Sequence, residues 1–264
     1  MPISKSKTAK IISVTNQKGG VGKTTTTINL AAALSELEKK VLIIDLDPQG
    51  NASTGLGVEV EDRKLSTYEF LVEGIPLEKV ATETEVSGLN IIPATIDLSS
   101  ADIDLISNEK RSHLLYEALR KKEENKQKYD YILIDCPPSL NILTVNAMVA
   151  SHSVLIPLQS EFFALEGLSQ LLLTVKEVRQ TANENLRVEG IVLTMFDGRN
   201  NLSKQVEADA RTNLRELVFK TIIPRNVRVS EAPSYSMPVL TYDPSSKGSK
   251  AYMSLARELL ANNS

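Results

Sequence analysis

The feature that most constrains this chain is a glycine-rich segment near its N-terminus, Lys18-Gly19-Gly20-Val21-Gly22-Lys23-Thr24-Thr25. Three glycines within four positions allow the backbone to curl with its N–H groups directed inward, around a phosphate. Lys23 is placed to reach a β- or γ-phosphate and Thr24 to ligate Mg²⁺, while the helix that follows adds its N-terminal dipole. The segment therefore predicts a nucleotide-binding P-loop between a strand and a helix.

The loop departs from the common G-x-x-x-x-G-K-[ST] pattern at two positions. Gln17 replaces the first glycine, and Lys18 is an additional lysine. Because Lys23 already serves its own loop, the best use of Lys18 is across a dimer interface, where its ammonium would stabilise the charge that builds up on the partner's phosphates. The alternative is a solvated lysine at the start of the loop.

Composition limits the fold and its setting. The chain has 264 residues, of which 42% are hydrophobic and 24% charged, enough for one α/β domain of a soluble protein. Residues 1–9 are polar and basic, which predicts a disordered tail and not a signal peptide, followed by a single domain over residues 10–264. No apolar run is long enough to span a bilayer.

The rare side chains exclude several kinds of site. Cys136 is the only cysteine, so an internal disulfide and a cysteine-rich metal site are excluded, and a reducing cytoplasm is the expected setting. His113 and His152 lack the spacing of metal ligands, and we expect them to be structural or solvent-facing. The candidate chemistry therefore rests on carboxylates, lysines and the glycine loop.

Apolar strands and amphipathic helices alternate along the chain without a linker or a repeat. This pattern predicts a P-loop NTPase fold of the α/β class, with one doubly wound, mainly parallel sheet flanked by helices. The predicted strands are residues 10–16, 41–46, 89–93, 129–135, 153–157 and 188–195. The predicted helices are residues 24–37, 65–73, 111–127, 163–181, 201–217 and 250–260, with one more opening near residue 99.

Three aspartates close two of the predicted strands, at the edge where ligands bind in open α/β sheets. Asp135 ends the predicted strand 129–135 in the Walker B arrangement, in which a carboxylate holds Mg²⁺ through its water shell. Of Asp45 and Asp47, one can orient the attacking water while the other steadies the Mg²⁺ shell. We assign the water to Asp47, which lies further into the loop; the alternative is a turn capped by aspartate before Pro48.

The charges are distributed unevenly. The net charge is −3, yet residues 199–264 carry ten Lys/Arg against six Asp/Glu. Lysine and arginine suit phosphate contacts that position a protein on DNA without reading bases, and no helix-turn-helix or zinc pattern is present. Nonspecific DNA binding is therefore predicted, with an ordinary basic surface as the alternative. The candidate residues are Arg225, Arg228, Lys247 and Lys250, with Glu231 and Asp243 as the acids among them.

Four separated motifs resemble those of the ParA/Soj chromosome and plasmid partition ATPases, members of the deviant Walker A superfamily. The resemblance extends from Ile11 to about Leu260. The motifs are residues 18–25, residues 45–51, Asp135-Cys136-Pro137-Pro138 and residues 223–233.

The resemblance implies roles for individual residues. Lys18 corresponds to the lysine that crosses an ATP-bound sandwich dimer, Asp47 to the switch I aspartate needed for hydrolysis, and Asp135 to the Walker B carboxylate. Residues 194–197 and 224–226, including Pro224 and Asn226, resemble the segments that line the adenine.

The resemblance also implies partners. Family members use ATP and Mg²⁺, bind double-stranded DNA without sequence preference only as the ATP dimer, and hydrolyse ATP faster when stimulated by ParB bound at its centromere sites. We therefore expect weak intrinsic ATPase activity, a homodimer with ATP, and a cytoplasmic, nucleoid-associated protein that does not bind membranes.

Three other functions compete with this interpretation. A MinD-like positioning ATPase would need a C-terminal amphipathic helix with bulky apolar anchors, and residues 255–264 hold one arginine, one glutamate and no aromatic residue. A reductase of the nitrogenase iron-protein type needs cysteine ligands from each subunit, which Cys136 alone cannot supply. A nucleotide-dependent scaffold without turnover is disfavoured by the presence of both Asp47 and Asp135.

Overall fold

The computed structural model describes residues 8–101, 108, 110–120, 128–161 and 164–263. Within this part of the chain, seven strands form one sheet in the order β3-β4-β2-β5-β1-β6-β7. All neighbouring pairs are parallel except β3 with β4, so the predicted doubly wound, mainly parallel sheet is confirmed. The strands are β1 Lys10–Val14, β2 Val41–Asp45, β3 Thr82–Glu83, β4 Leu89–Ile92, β5 Tyr131–Asp135, β6 Ser153–Gln159 and β7 Arg187–Thr194.

Helices flank the sheet on both faces. The α-helices are α1 Lys23–Glu36, α2 Asn51–Gly55, α3 Leu77–Val80, α4 Leu114–Arg120, α5 Ile142–Ala150, α6 Ala164–Thr181, α7 Asn201–Leu214, α8 Val227–Glu231, α9 Val239–Tyr242 and α10 Lys247–Asn262. Single turns of 3-10 helix cover Val60–Asp62, Ile96–Ser100, Arg215–Leu217 and Ala232–Tyr235, and Glu69–Glu73 form a π-helical turn.

The central strands are buried on both faces, as expected for a parallel sheet covered by helices. Side chains alternate between two cores, so Ile12 packs toward α1 and α10, whereas the preceding Ile11 packs toward α4 and α5. Because both faces are covered, the ends of the strands are left for ligands. The site must therefore be sought in the loops at the carboxyl edge.

Helix α10 is part of the core on the α1 face. Its side chains Tyr252, Leu255 and Leu259 are buried, and the Tyr252 hydroxyl lies 3.4 Å from Thr26 Oγ1 of α1. The apolar stripe of α10 is thus already used inside the protein. Among the described residues, no helix combines the length and apolar character needed to cross a bilayer.

The two outermost strands of the sheet, β3 and β7, leave few backbone N–H and C=O groups free to pair with another strand. Strand β3 has only two residues and closes one side as an antiparallel partner of β4. On the other side, Phe219 N–H donates to Ile191 O and Ile223 N–H donates to Leu193 O, each at 2.9 Å. The segment before α8 therefore covers the outer side of β7.

The structure differs from the predicted elements in several places. Helix α5 was not predicted, because its sequence is apolar on all sides and offers no amphipathic stripe, and the connection before the last helix contains α8 and α9. Residues 121–127 of one predicted helix lie outside the described residues, as does the continuation of the helix expected near residue 99. Of the predicted tail, only Thr8 and Ala9 are described, and Ala9 is buried.

Candidate functional site

The glycine loop connects β1 to α1 at the carboxyl edge of the sheet. Gly20 and Gly22 have φ angles of 75° and 85°, a left-handed conformation that favours glycine. Gly22 is the N-cap of α1, and its carbonyl accepts the Thr26 N–H at 2.8 Å. No heavy atom lies within 4 Å of the position that a Cβ would take on Gly19 or Gly20, so this backbone is open to a ligand.

A cleft of about 330 Å³ adjoins the loop. It brings together the predicted phosphate-binding residues and the predicted hydrolytic aspartate, and it also contains residues that no motif indicated. Its lining consists of Gly19, Gly20, Gly22, Lys23, Thr24, Thr25, Asp47, Gln49, Asn51, Pro138 and Met195.

Lys23 is a nearly buried cation at the base of the cleft, with 7% of its surface exposed. Its Nζ donates one hydrogen bond, to the Lys18 carbonyl at 3.1 Å. Burial lowers the pKa of Lys23, while the charges of Asp135 and Asp47 oppose that shift. The other two ammonium protons have no acceptor among the described residues, so they are available to donate hydrogen bonds to phosphate oxygens.

Asp135 is a fully buried carboxylate at the end of β5. Its Oδ1 accepts the Thr27 hydroxyl at 3.0 Å, whereas its Oδ2 has no hydrogen-bond partner among the described residues. Burial raises the pKa of Asp135, and the nearby charge of Asp45 raises it further. A buried carboxylate oxygen without a partner, next to a Thr24 side chain that is close enough to oppose the rise in the Asp135 pKa, fits a magnesium ion and its water shell.

Asp45 lies beside Asp135, since the two residues are paired in the register of β2 and β5. Its Oδ1 accepts the Asp47 N–H, and its Oδ2 accepts both the N–H and the hydroxyl of Ser53, at 2.9 and 2.7 Å. Asp45 therefore anchors the first turn of α2. The predicted contribution of Asp45 to the Mg²⁺ shell stays a prediction, and it would have to share oxygens that already accept three hydrogen bonds.

Asp47 stands at the start of the turn that leads from β2 into α2. Its Oδ1 accepts the Gln49 N–H at 3.0 Å, and its carbonyl accepts the Gly50 N–H at 2.8 Å. Asp47 lines the cleft with 7% exposure, so its carboxylate is close to the phosphate loop but reachable. This position is compatible with the water-orienting role predicted for it.

Lys18 forms an ion pair within its own chain. Its Nζ lies 2.5 Å from Glu161 Oε2, and the two side chains are 41% and 47% exposed. The other oxygen of Glu161 accepts Gln159 Nε2 at 2.5 Å. Sequence reasoning missed Glu161, because a glutamate 143 positions away from the lysine belongs to no motif.

The two segments predicted to line the adenine lie next to each other. Phe196 N–H donates to Ile223 O, and Arg225 N–H donates to Phe196 O, so the residues around Pro224 pair with those that follow β7. Thr194 Oγ1 donates to the Val21 carbonyl at 2.8 Å, which ties this segment to the glycine loop. Asn226 caps α8 through the Val229 N–H.

The four predicted DNA-binding residues are all exposed and belong to two helices and the turn before them. The start of α10 packs on α8, where a Cβ on Gly248 would lie 2.2 Å from Val229 Cγ2. Arg228 is paired with both acids of this region, at 2.9 Å to Glu231 and 3.4 Å to Asp243. No ion pair among the described residues involves the other three cations, Arg225, Lys247 and Lys250.

Known proteins resemble this chain over nearly its full length. A family described as "AAA domain" matches residues 9–188. The chain is 52% identical over 253 residues to sporulation initiation inhibitor protein Soj of Bacillus subtilis, covering 96% of this chain and 99% of Soj. It is also 52% identical over 252 residues to chromosome partitioning protein ParA of Caulobacter vibrioides, covering 96% and 94% of the two chains.

A solved structure shares the fold. It is described as cobyrinic acid a,c-diamide synthase from Mycobacterium smegmatis with bound ATP analog and magnesium. The TM-score is 0.82 at 35% identity, with 96% of this chain and 95% of that chain covered.

Proposed function

This chain belongs to the Soj/ParA family of chromosome-partitioning ATPases, and we propose that it is an ATP-dependent DNA-segregation ATPase whose ATP-bound dimer binds double-stranded DNA without sequence preference. The observation that carries this proposal is the cleft beside the open glycine loop, which Lys23 and Asp47 line, together with the buried Asp135, whose charge acts on Lys23 and whose Oδ2 has no partner among the described residues. A ParB-type centromere-binding protein stimulates an otherwise slow hydrolysis, and the DNA-bound protein is associated with the nucleoid.

ATP is held by the glycine loop, by Lys23 and by the two segments that follow β7 and precede α8. The N–H groups of residues 19–25 and the Lys23 ammonium bind the phosphates, and the segments 194–197 and 224–226 enclose the adenine. Thr24 and Asp135, with Asp45 behind them, would hold Mg²⁺, which when bound would neutralise the charge that develops on the phosphates. Asp47 orients the attacking water at the open side of the cleft.

Lys18 contributes to the neighbouring subunit's phosphates in the ATP-bound dimer. Its ion pair with Glu161 must open first, and because both side chains are about half exposed, such a pair is worth only about 0–1 kcal/mol. The two phosphate groups in a dimer interface offer Lys18 a stronger, charge-assisted contact. Hydrolysis removes that contact and allows the dimer to separate.

DNA binding uses the exposed cations Arg225, Lys247 and Lys250, with Arg228 partly neutralised by its two acids. One such surface offers only a few phosphate contacts and binds weakly. Pairing two copies raises the effective affinity through avidity, and this gain is lost when the dimer separates. The nucleotide thus controls DNA affinity without a change at the DNA-binding residues themselves.

A gel-shift assay with plasmid DNA tests this proposal, run with ATP, with ADP and without nucleotide, each with Mg²⁺. We expect a shift only with ATP, and loss of that shift both in Lys18→Ala and in the double variant Arg225→Glu/Lys250→Glu. The matched control is Lys176→Glu/Arg179→Glu, which reverses two exposed charges on α6 and should shift DNA as the parent does.

Two results would contradict the proposal. A shift that is equal with ATP and ADP would remove the nucleotide switch. Sedimentation of the ATP form with anionic liposomes, without any DNA shift, would favour a membrane-associated positioning ATPase. That second outcome would require a surface other than the buried stripe of α10.

A further inference from the structure

Arg63 is a buried arginine that the chemistry above does not use. Only 8% of the residue is exposed, and its guanidinium donates to three acceptors on different segments. Nε and Nη2 donate to the Val58 carbonyl at 3.0 and 2.8 Å, Nη1 to the Ala94 carbonyl at 3.1 Å, and Nη2 to Thr54 Oγ1 at 2.7 Å. None of the ion pairs in the described part of the chain involves it.

A cation buried against neutral acceptors is expensive, so its position in the fold is informative. Ala94 follows β4, and Thr54 belongs to α2, the helix that begins directly after the Asp47 turn. The planar fork of arginine can span these acceptors at fixed angles, which a lysine cannot do. Arg63 therefore joins α2 to the end of a neighbouring strand.

The absence of a side chain at Gly50 leaves room for this guanidinium. Its φ angle is 62°, and a Cβ at this position would lie 2.2 Å from Arg63 Nη1 and 3.1 Å from the Ala94 carbonyl. Gly50 is also the N-cap of α2, and its carbonyl accepts both the N–H and the hydroxyl of Thr54. The guanidinium thus lies against the backbone at the point where the Asp47 turn becomes helix.

The turn between Asp47 and Gly50 is held from two sides. On one side Asp45 accepts hydrogen bonds from Ser53 and from the Asp47 N–H. On the other side Arg63 donates to Thr54 and packs against Gly50. Because Asp47 is bonded through the Gly50 N–H to this same turn, the position of its carboxylate depends on both supports.

We propose that Arg63 is a positioning residue for ATP hydrolysis, which holds residues 47–54 so that the Asp47 carboxylate stays at the cleft. The role rests on the proposed ATPase function. Arg63 does not line the cleft, so it acts through the turn and not on the nucleotide. A displacement of a catalytic group by about 1 Å can reduce a rate about 100-fold, which sets the scale of the expected effect.

The experiment compares Arg63→Met, Arg63→Lys and Arg211→Met in steady-state ATP hydrolysis. We expect kcat to fall about 10- to 100-fold in Arg63→Met with the KM for ATP within about 3-fold of the parent, and to recover partly in Arg63→Lys. Arg211 is the matched control, because its guanidinium also bonds a side chain and two carbonyls, Glu207, Phe219 O and Lys220 O, but lies on α7.

A second measurement separates this role from the proposed function. In the nucleotide-free full-length protein, amide hydrogen exchange of residues 46–57 should become faster in Arg63→Met and remain at the parental rate in Arg211→Met. If Arg63→Met does not fold, Thr54→Val removes one acceptor and should give the same pattern with a smaller decrease in kcat, about 2- to 5-fold.

The results that would contradict the positioning role differ from those that would contradict the proposed ATPase function. Parental kcat in Arg63→Met, an equal loss in Arg211→Met, or unchanged exchange over residues 46–57 would overturn the positioning role. Faster exchange confined to residues 46–57, in a parent chain that does not hydrolyse ATP, would support the positioning of the turn and contradict the proposed ATPase function.

Discussion

The two ends of the sheet bury carboxylates in opposite ways. At the carboxyl edge, Asp135 keeps an oxygen without a partner, and burial raises its pKa. At the amino edge, the Glu189 side chain is mostly buried, with 5% exposed, and it accepts hydrogen bonds from Asn263 Nδ2 at 2.5 Å, Lys10 Nζ at 2.9 Å and the Ser153 hydroxyl. Although burial opposes it, these contacts lower the pKa of Glu189.

The lysines of the two ends differ in the same way. Lys10 donates to Glu189 and to Asn263 Oδ1 at 2.7 Å, whereas Lys23 has a single carbonyl acceptor. A buried charge whose contacts are complete within the chain stabilises the fold. A buried charge whose contacts are incomplete stabilises the ligand that completes them, and its desolvation destabilises the protein without ligand.

The variant with the largest expected effect on this comparison is Asp135→Asn. We expect ATP hydrolysis to fall by about 100-fold or more, because the carboxylate proposed to hold the water shell of Mg²⁺ is lost. The free energy of unfolding of the nucleotide-free protein should be unchanged or higher, since a poorly compensated buried carboxylate is removed. Urea denaturation and steady-state ATPase assays measure the two effects, and a clear loss of stability would break the comparison.

The opposite result is expected for Glu189→Gln at the amino edge. The substitution removes the charge that pairs with Lys10 and leaves one acceptor oxygen, so the new amide N–H₂ must face a donor, either Asn263 Nδ2 or Lys10 and Ser153, and the free energy of unfolding should fall by about 1–3 kcal/mol. ATP hydrolysis at a temperature where the variant is folded should stay within about 2-fold of the parent. Lost activity in a folded Glu189→Gln would show that the two ends are coupled.

The smallest effect concerns His152 at the amino edge. Its Nδ1 accepts the Ile11 N–H at 2.9 Å, and burial lowers its pKa below 6.5, helped by the charges of Lys10, Arg120 and Arg187. The unfolded chain therefore binds a proton near pH 6.5 that the native state does not, so stability falls as the pH drops below that value.

The variant His152→Asn keeps an acceptor for Ile11 but does not titrate. Its free energy of unfolding, measured in urea at pH 7, 6 and 5 at constant ionic strength, should decrease less steeply than that of the parent. Equal slopes would show that His152 does not contribute to the acid sensitivity of this edge.

Much of this arrangement could be predicted from the sequence, because the signals are local. Apolar runs identified β1, β2, β4, β5, β6 and β7, and the spacing within residues 18–25 identified the glycine loop and the start of α1. The three aspartates were expected at the carboxyl edge, and the structure places all three there.

The rest depends on contacts between distant residues. Glu161 reaches Lys18 across 143 positions, and Arg63 stands in a charged stretch that looks like an ordinary solvated surface. Helix α5 is buried on most sides, so it lacks the periodic pattern by which helices are recognised, although Asn141 supplies its N-cap. These features follow from packing, which a single sequence does not encode in a short motif.

The covered sides of the sheet affect how copies of this chain can meet. Open sheets can grow by adding a strand from another molecule, which gives long-lived or irreversible assemblies. Here β3 offers two residues, and the N–H groups of Phe219 and Ile223 already occupy carbonyls of β7. A second copy therefore cannot extend the sheet at β7 without displacing that segment. The dimer proposed above would instead associate through the loops at the strand ends, where a bound nucleotide would make association reversible.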